Sequence, residues 1–208
     1  MPVLCASDDD SASRSASSNE ASQSQEMNRT GSTICLADLE ENTETPVAPH
    51  IGYKKVLVTG GAGFIGSNVA EFLLARGDDV VIVDEMNDYY DVRIKQANLD
   101  HLQALFPDES RLSIYKGDIC DEEFMESLFE KEHPKWICHM AARAGVRPSI
   151  QDPFVYIHSN IKGTTHLMEL AHKYGVQNFV FASSSSVYGG SKSTFFSEEE
   201  NVDNPVSP

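Results

Sequence analysis

From Tyr53 onward, short apolar runs alternate with longer stretches in which apolar residues recur every three or four positions. Lys55-Val-Leu-Val-Thr59 is the first run and predicts a buried strand. Val69 to Arg76 then reads as a helix, with Phe72 and Leu73 on its apolar face and Gly77 as its stop. Val80 to Val83 is a second strand, ending at Asp84, and Val92 to Phe106 a second helix, halted at Pro107. Leu112 to Tyr115 is a third strand. Asp121 to Glu132 is a helix with Phe124, Leu128 and Phe129 apolar, closed by Pro134. Trp136 to His139 is the fourth strand. A long helix is predicted to start after Asp152-Pro153, with the proline in its first turn, and to run to Tyr174 before Gly175. Asn178 to Phe181 is the fifth strand. Strands alternating with helices imply right-handed crossovers and a parallel sheet covered on both faces. The expected class is α/β, doubly wound, with strand order 3-2-1-4-5 and a ligand crevice at the carboxyl ends of strands 1 and 4.

Residues 1–52 break this pattern. Seven serines between Ser11 and Ser24 crowd a stretch almost without large apolar residues, and its many acids face only Arg14 and Arg29. Such a segment cannot bury enough apolar area to offset its ordering entropy, so it is read as a disordered acidic tail, with the folded domain spanning 53–208. It is too acidic for a transit peptide. Asn28-Arg-Thr30 matches a glycosylation acceptor, but only as a chance match in a cytosolic chain. The formal charge of the 208 residues is -16, which argues against nucleic-acid binding because that needs basic surface to displace counterions. No apolar stretch reaches the length of a membrane span, and the N-terminus lacks the basic-then-apolar order of a signal peptide. Cys5, Cys35, Cys120 and Cys138 share no C-x-x-C spacing, so neither a metal centre nor a disulfide framework is expected. A reducing compartment, the cytoplasm, is the natural setting.

The most informative chemistry lies where the first strand meets the first helix, at Gly60-Gly-Ala-Gly63-Phe-Ile-Gly66. One glycine allows the tight turn, a second lets a pyrophosphate approach the backbone, and a third lets helix and strand pack closely. The helix N-terminus adds unpaired N–H groups and a positive dipole end. Asp84 follows about twenty residues later, where a carboxylate accepts hydrogen bonds from an adenosine ribose. It repels a 2′-phosphate, and Glu85 adds a second negative charge, so NAD is favoured over NADP. A glycine turn with an unrelated acid is the alternative; glycines, strands, helix and acid in the right order favour a dinucleotide site in a Rossmann-like domain.

Three further loops follow strands and so sit where function is expected. Asp118 could bond an adenine amino group or merely cap the helix near Asp121. The small residues of Met140-Ala-Ala142 could let a ribose lie on the backbone or serve close packing alone. Ser183-Ser-Ser-Ser-Val-Tyr-Gly189 could bring a hydroxyl to the nicotinamide end or be a polar turn.

Thr59 to Gly66, Gly117-Asp-Ile119, His139-Met-Ala-Ala142, Asn160-Ile-Lys-Gly-Thr164 and Ser183 to Gly189 together resemble the extended short-chain dehydrogenase/reductases. Ala144-Gly-Val-Arg147 and Asp88-Tyr-Tyr-Asp91 further resemble nucleotide-sugar epimerases, especially UDP-glucuronate 4-epimerases. The resemblance runs from about Tyr53 to Pro208 and implies tightly held NAD that takes hydride from a sugar C4 and returns it to the opposite face of a 4-keto sugar. It implies cofactor contacts at Gly60, Gly63, Phe64, Ile65, Gly66, Asp84, Asn87, Asp118, Ile119, Met140, Ala141, Ala142 and Ser159. It also implies a catalytic hydroxyl at Ser184 that steadies the developing C4 oxyanion. Arg147 is the substrate-facing candidate, because a guanidinium fork suits a uronate carboxylate; a solvated loop arginine is the other reading. The implied substrate is a UDP-sugar and the implied assembly a homodimer. A UDP-glucuronate decarboxylase, a dTDP-glucose dehydratase or a non-catalytic NAD-binding module are the alternatives.

The chain departs from this group at Glu85, where Asn is usual, and at Arg143, where Gln is common. The family's Tyr-x-x-x-Lys begins a helix after a Ser-Pro step, and the sequence stops at Ser207-Pro208, so a truncated, inactive form is expected. Tyr188 and Lys192 have the right spacing, but Gly189-Gly190 disfavours the helix that would place them one turn apart.

Overall fold

The computed structural model describes residues 54–204. The tail expectation for 1–52 and the Ser-Pro step lie outside the described residues. Five parallel strands form one sheet in the order β3-β2-β1-β4-β5: β1 Lys55–Thr59, β2 Asp79–Asp84, β3 Leu112–Lys116, β4 Trp136–His139 and β5 Asn178–Phe181. β1 is central, pairing Val56 with both Val80 and Trp136. The order agrees with the sequence reading.

Side chains alternate across a strand, so β1 feeds two cores. Val56 and Val58 join Ile82, Leu73, Leu74, Leu99 and Leu102 on one face. Leu57 joins Val81, Val83, Ile137, Phe129 and Leu167 on the other. Helices α1 (Phe64–Arg76) and α2 (Val92–Leu105) contribute to the first cluster, and α3 (Glu122–Glu132) to the second. Continuous apolar strands buried on both faces are what a parallel sheet requires. The outer strand departs from that expectation: Val180 and Phe181 of β5 are about half exposed among the described residues.

The helices differ from expectation in three ways. α1 begins at Phe64 rather than Val69, because Gly63 is already its extended N-cap. A short helix, α4 (Val146–Gln151), occupies part of what reads as a loop; Pro148 is tolerated because it lies in the first turn. The single long helix from Pro153 is a chain of three pieces: α5 (Pro153–Tyr156), a π-helical segment (Ile157–Gly163) and α6 (Thr164–Lys173). Gly163 lies against the loop after β3, where a Cβ would stand 2.5 Å from the Ile119 side chain. Cys120 and Cys138 are free thiols. No helix among the described residues is long and apolar enough to cross a membrane.

Candidate functional site

The turn after β1 is built around backbone that no side chain can enter. Gly60 has φ +67°, and a Cβ there would lie 2.8 Å from the Ala141 backbone. A Cβ at Gly66 would collide with the Gly60 carbonyl oxygen, so α1 seats directly on the turn. The first helical bond is Ser67 N–H to Gly63 O at 3.0 Å, which leaves the amides of Phe64, Ile65 and Gly66 ahead of the ladder. These amides and the positive end of α1 suit an anion. The Phe64 and Ile65 side chains are 80% and 62% exposed and line a shallow apolar groove with Phe72. Their backbone is therefore all they offer a bound phosphate.

Asp84 ends β2 almost completely buried. Its Oδ2 accepts the Ala62 amide at 3.2 Å, and its Oδ1 accepts the Met86 amide at 2.8 Å and the Lys95 ammonium at 3.2 Å. Met86 takes φ +55°, a costly conformation for a non-glycine residue that these bonds support. Lys95, on the inner face of α2, is only 4% exposed and also donates to Asn87 Oδ1 at 3.2 Å. Its ammonium lies 5.3 Å over the Tyr90 ring. The Tyr90 hydroxyl is buried without a hydrogen-bond partner among the described residues, and burial and then Asp84 push its pKa up, so it stays a phenol able to donate.

The other loops close on the same space. Glu85 accepts from the Asn87 side-chain amide and pairs with Arg143 at 2.9 Å. Asn160, in the π-helical segment, clasps the Arg143 backbone from both sides: its Oδ1 accepts the Arg143 amide at 2.8 Å and its Nδ2 donates to the Arg143 carbonyl at 3.0 Å. Such segments recur at functional sites because they re-aim side chains. Asp118 accepts the Cys120 amide at 2.8 Å and pairs with His158 at 2.7 Å. Burial alone would raise its pKa, but the bonds from His158 and the Cys120 amide hold it below the usual carboxylate range. It does not cap α3; Asp121 does, accepting the Phe124 amide at 3.0 Å. Burial and then Asp118 push the Cys120 thiol up to about 12, so that sulfur stays protonated. Beneath the crevice, His139 is fully buried between Thr59 at 2.6 Å and Thr164 at 2.9 Å, and burial lowers its pKa to about 4.

Gly60, Gly63, Asp84, Asn87, Asp118, Ile119, Met140, Ala141, Ala142 and Ser159 line one crevice at the carboxyl ends of the strands. Gly66 is buried behind it. Ser184 and Arg147 are not among its lining residues. Ser184 is exposed and caps a 3-10 turn, Ser185–Tyr188, by accepting the Ser186 amide at 3.2 Å; Arg147 is exposed on α4. Tyr188 ends that turn and stacks on Phe196 at 4.5 Å; Gly189, at φ +56°, breaks the chain direction before Lys192. Tyr188 and Lys192 therefore share no helical face. Sequence reasoning missed Lys95 and Tyr90. The signal for Lys95 was its register with Leu99 and Leu102, which places a lysine in the buried stripe of α2.

A family model described as GDP-mannose 4,6 dehydratase matches residues 57–208. A UDP-glucuronate 4-epimerase of Thermodesulfobacterium geofontis (strain OPF15) is 45% identical over 152 residues, which cover 73% of this chain and 46% of that protein. UDP-glucuronate 4-epimerase 4 of Arabidopsis thaliana is 43% identical over 153 residues, 73% of this chain and 34% of that one. The chain thus spans less than half the length of these curated relatives. Among solved structures, UDP-glucose-4-epimerase from Stenotrophomonas maltophila, with bound NAD and formylated UDP-arabinopyranose, superposes with a TM-score of 0.62 at 32% identity, covering 71% of this chain and 42% of that one. On the extent of the family match, with the strand order and glycine turn it accompanies, the chain belongs to the GDP-mannose 4,6 dehydratase family and is similar to nucleotide-sugar 4-epimerases.

Proposed function

We propose that the crevice holds NAD and that the chain serves as the cofactor-binding domain of an NAD-dependent UDP-sugar 4-epimerase, whose full-length form converts UDP-glucuronate to UDP-galacturonate through a 4-keto sugar. The observation that carries the reading is Asp84, anchored by two backbone amides and Lys95 beside a glycine turn that any Cβ would obstruct. The cofactor fits the donor set. Amides of Phe64 to Gly66 suit its pyrophosphate, Asp84 and Asn87 its adenosine ribose, and Asp118 and Ile119 its adenine. The backbone of Met140 to Ala142 and the Ser159 hydroxyl suit the remaining ribose. When bound, the nicotinamide supplies a reversible acceptor for the hydrogen on sugar C4.

The part this chain would take in the chemistry is the Ser184 hydroxyl, carried over from the resemblance and lying outside the crevice lining, as a hydrogen-bond donor to the C4 oxygen while charge develops there. The base that takes the C4 hydroxyl proton, a Tyr/Lys pair one helical turn apart in the family, has no counterpart among the described residues. Arg147 is the partner for the uronate carboxylate. The relatives named UDP-glucuronate 4-epimerase support the substrate. Exposed apolar residues along α5 to α6, Phe154, Ile161 and Met168, support the homodimer. Sedimentation velocity tests that assembly: a monomer at micromolar concentration contradicts it.

Incubation of the full-length protein with NAD and UDP-glucuronate tests the activity. UDP-galacturonate without carbon dioxide supports epimerisation, whereas carbon dioxide with a pentose product assigns the protein to the decarboxylases. Turnover of dTDP-glucose with loss of water assigns it to the dehydratases. Saturable NAD binding with no turnover of either sugar leaves a non-catalytic NAD-binding module.

A further inference from the structure

Glu85 and Arg143 stand 58 residues apart in the chain, yet their side chains meet at 2.9 Å across the crevice. Both line it, with 32% and 19% of their side chains exposed. The Arg143 backbone is fixed by the two-way Asn160 clasp, and its buried Nε has no hydrogen-bond partner among the described residues. The crevice holds a second cation, Lys95, and that one is engaged by Asp84 and Asn87. Each cation facing the crevice is therefore matched by a carboxylate from the end of β2.

We infer that the Glu85–Arg143 ion pair is a determinant of cofactor choice: Glu85 occupies the guanidinium, the only one lining the crevice among the described residues, that could otherwise receive the 2′-phosphate of NADP. The inference rests on the proposed dinucleotide reading. Glu85 follows Asp84 directly, so its carboxylate sits beside the residue assigned to the adenosine ribose, where a 2′-phosphate would stand. A guanidinium binds phosphate through paired, charge-assisted hydrogen bonds, and the Nη2 that Arg143 gives to Glu85 is the donor that a neutral residue 85 would release. Removing the charge of residue 85 while keeping its shape frees the fork without disturbing Asp84.

The test measures NAD and NADP affinity of the 208-residue chain and its variants by calorimetry, with thermal unfolding recorded for each. Glu85→Gln is expected to raise NADP affinity relative to NAD by about tenfold or more, the worth of one charge-assisted contact. In Glu85→Gln/Arg143→Met that gain is expected to vanish, an outcome that a purely structural bridge would not produce. Arg143→Met alone is expected to leave the NADP-to-NAD ratio within about twofold, because the parent guanidinium is already occupied. If the parent binds NAD and Glu85→Gln leaves the ratio unchanged, or if the gain persists in the double variant, the pair does not determine cofactor choice. If the parent binds neither dinucleotide, the dinucleotide reading falls and this inference with it.

Discussion

Asp84→Ala removes the most heavily engaged carboxylate in the crevice, and its cost can be worked out from the contacts it leaves. Lys95 is 4% exposed and, among the described residues, keeps only Asn87 as a hydrogen-bond acceptor. Removing one member of a buried ion pair typically costs about 3–5 kcal/mol, because the remaining charge stays buried without its partner. The Ala62 and Met86 amides lose their acceptors as well, and Met86 keeps its left-handed backbone. A domain of this size has about 5–15 kcal/mol in total, so the variant folds at low temperature with a much reduced urea midpoint. Lys95→Met in the Asp84→Ala background removes the stranded charge and replaces it with a chain of similar length. The double variant is expected to recover about half or more of the lost stability while NAD binding stays absent. The assays are equilibrium urea unfolding and NAD calorimetry on the parent, both single variants and the double. If Asp84→Ala unfolds within about 1 kcal/mol of the parent, or Lys95→Met gives no recovery, the ion pair does not organise this site.

Gly66→Ala forces a methyl group into the Gly60 carbonyl, so a loss of about 1–3 kcal/mol together with loss of NAD binding is expected in the same two assays; an unchanged titration would show that the turn is not the cradle. Phe129→Ala empties a fully buried position behind the sheet and is expected to cost about 3–5 kcal/mol by urea unfolding without altering crevice chemistry. His139 is held neutral, with a folded pKa of about 4 against an ordinary 6.5. Its contribution is therefore complete above pH 6.5 and is lost as pH falls toward 4, by about 3 kcal/mol at most. Urea midpoints at pH 7, 5 and 4 should fall more steeply for the parent than for His139→Gln, and parallel slopes would refute the assignment.

The sheet was legible because its strands are short apolar runs, those of β1 and β2 buried on both faces, with glycine or proline punctuation between elements. The glycine turn and Asp84 were legible because the constraint there is on backbone space and spacing, both of which the sequence records. Lys95 was not, since a lysine in a helix ordinarily reads as solvated, and only its register with Leu99 and Leu102 shows it turned inward. Glu85 and Arg143 each stood out singly, but no local pattern pairs residues 58 positions apart. The π-helical segment Ile157–Gly163 leaves no mark in composition, although it carries Ser159 and the Asn160 clasp. Phe64 and Ile65 were expected at the cofactor from the family resemblance; their side chains are exposed on α1, leaving only their amides for the site. Ser184 and Arg147 were placed by resemblance, and neither lines the crevice that the other residues build.

The central claim is that the loops after β1, β2 and β4 form one NAD cradle, and a titration of the isotopically labelled chain with NAD, followed by two-dimensional NMR, tests it residue by residue. Saturable shifts are predicted for the amides of Gly60 to Gly66, Asp84 to Asn87 and Met140 to Ala142, with the amides of α3 largely unmoved. Absence of saturation, or shifts confined to residues away from these three loops, would contradict it.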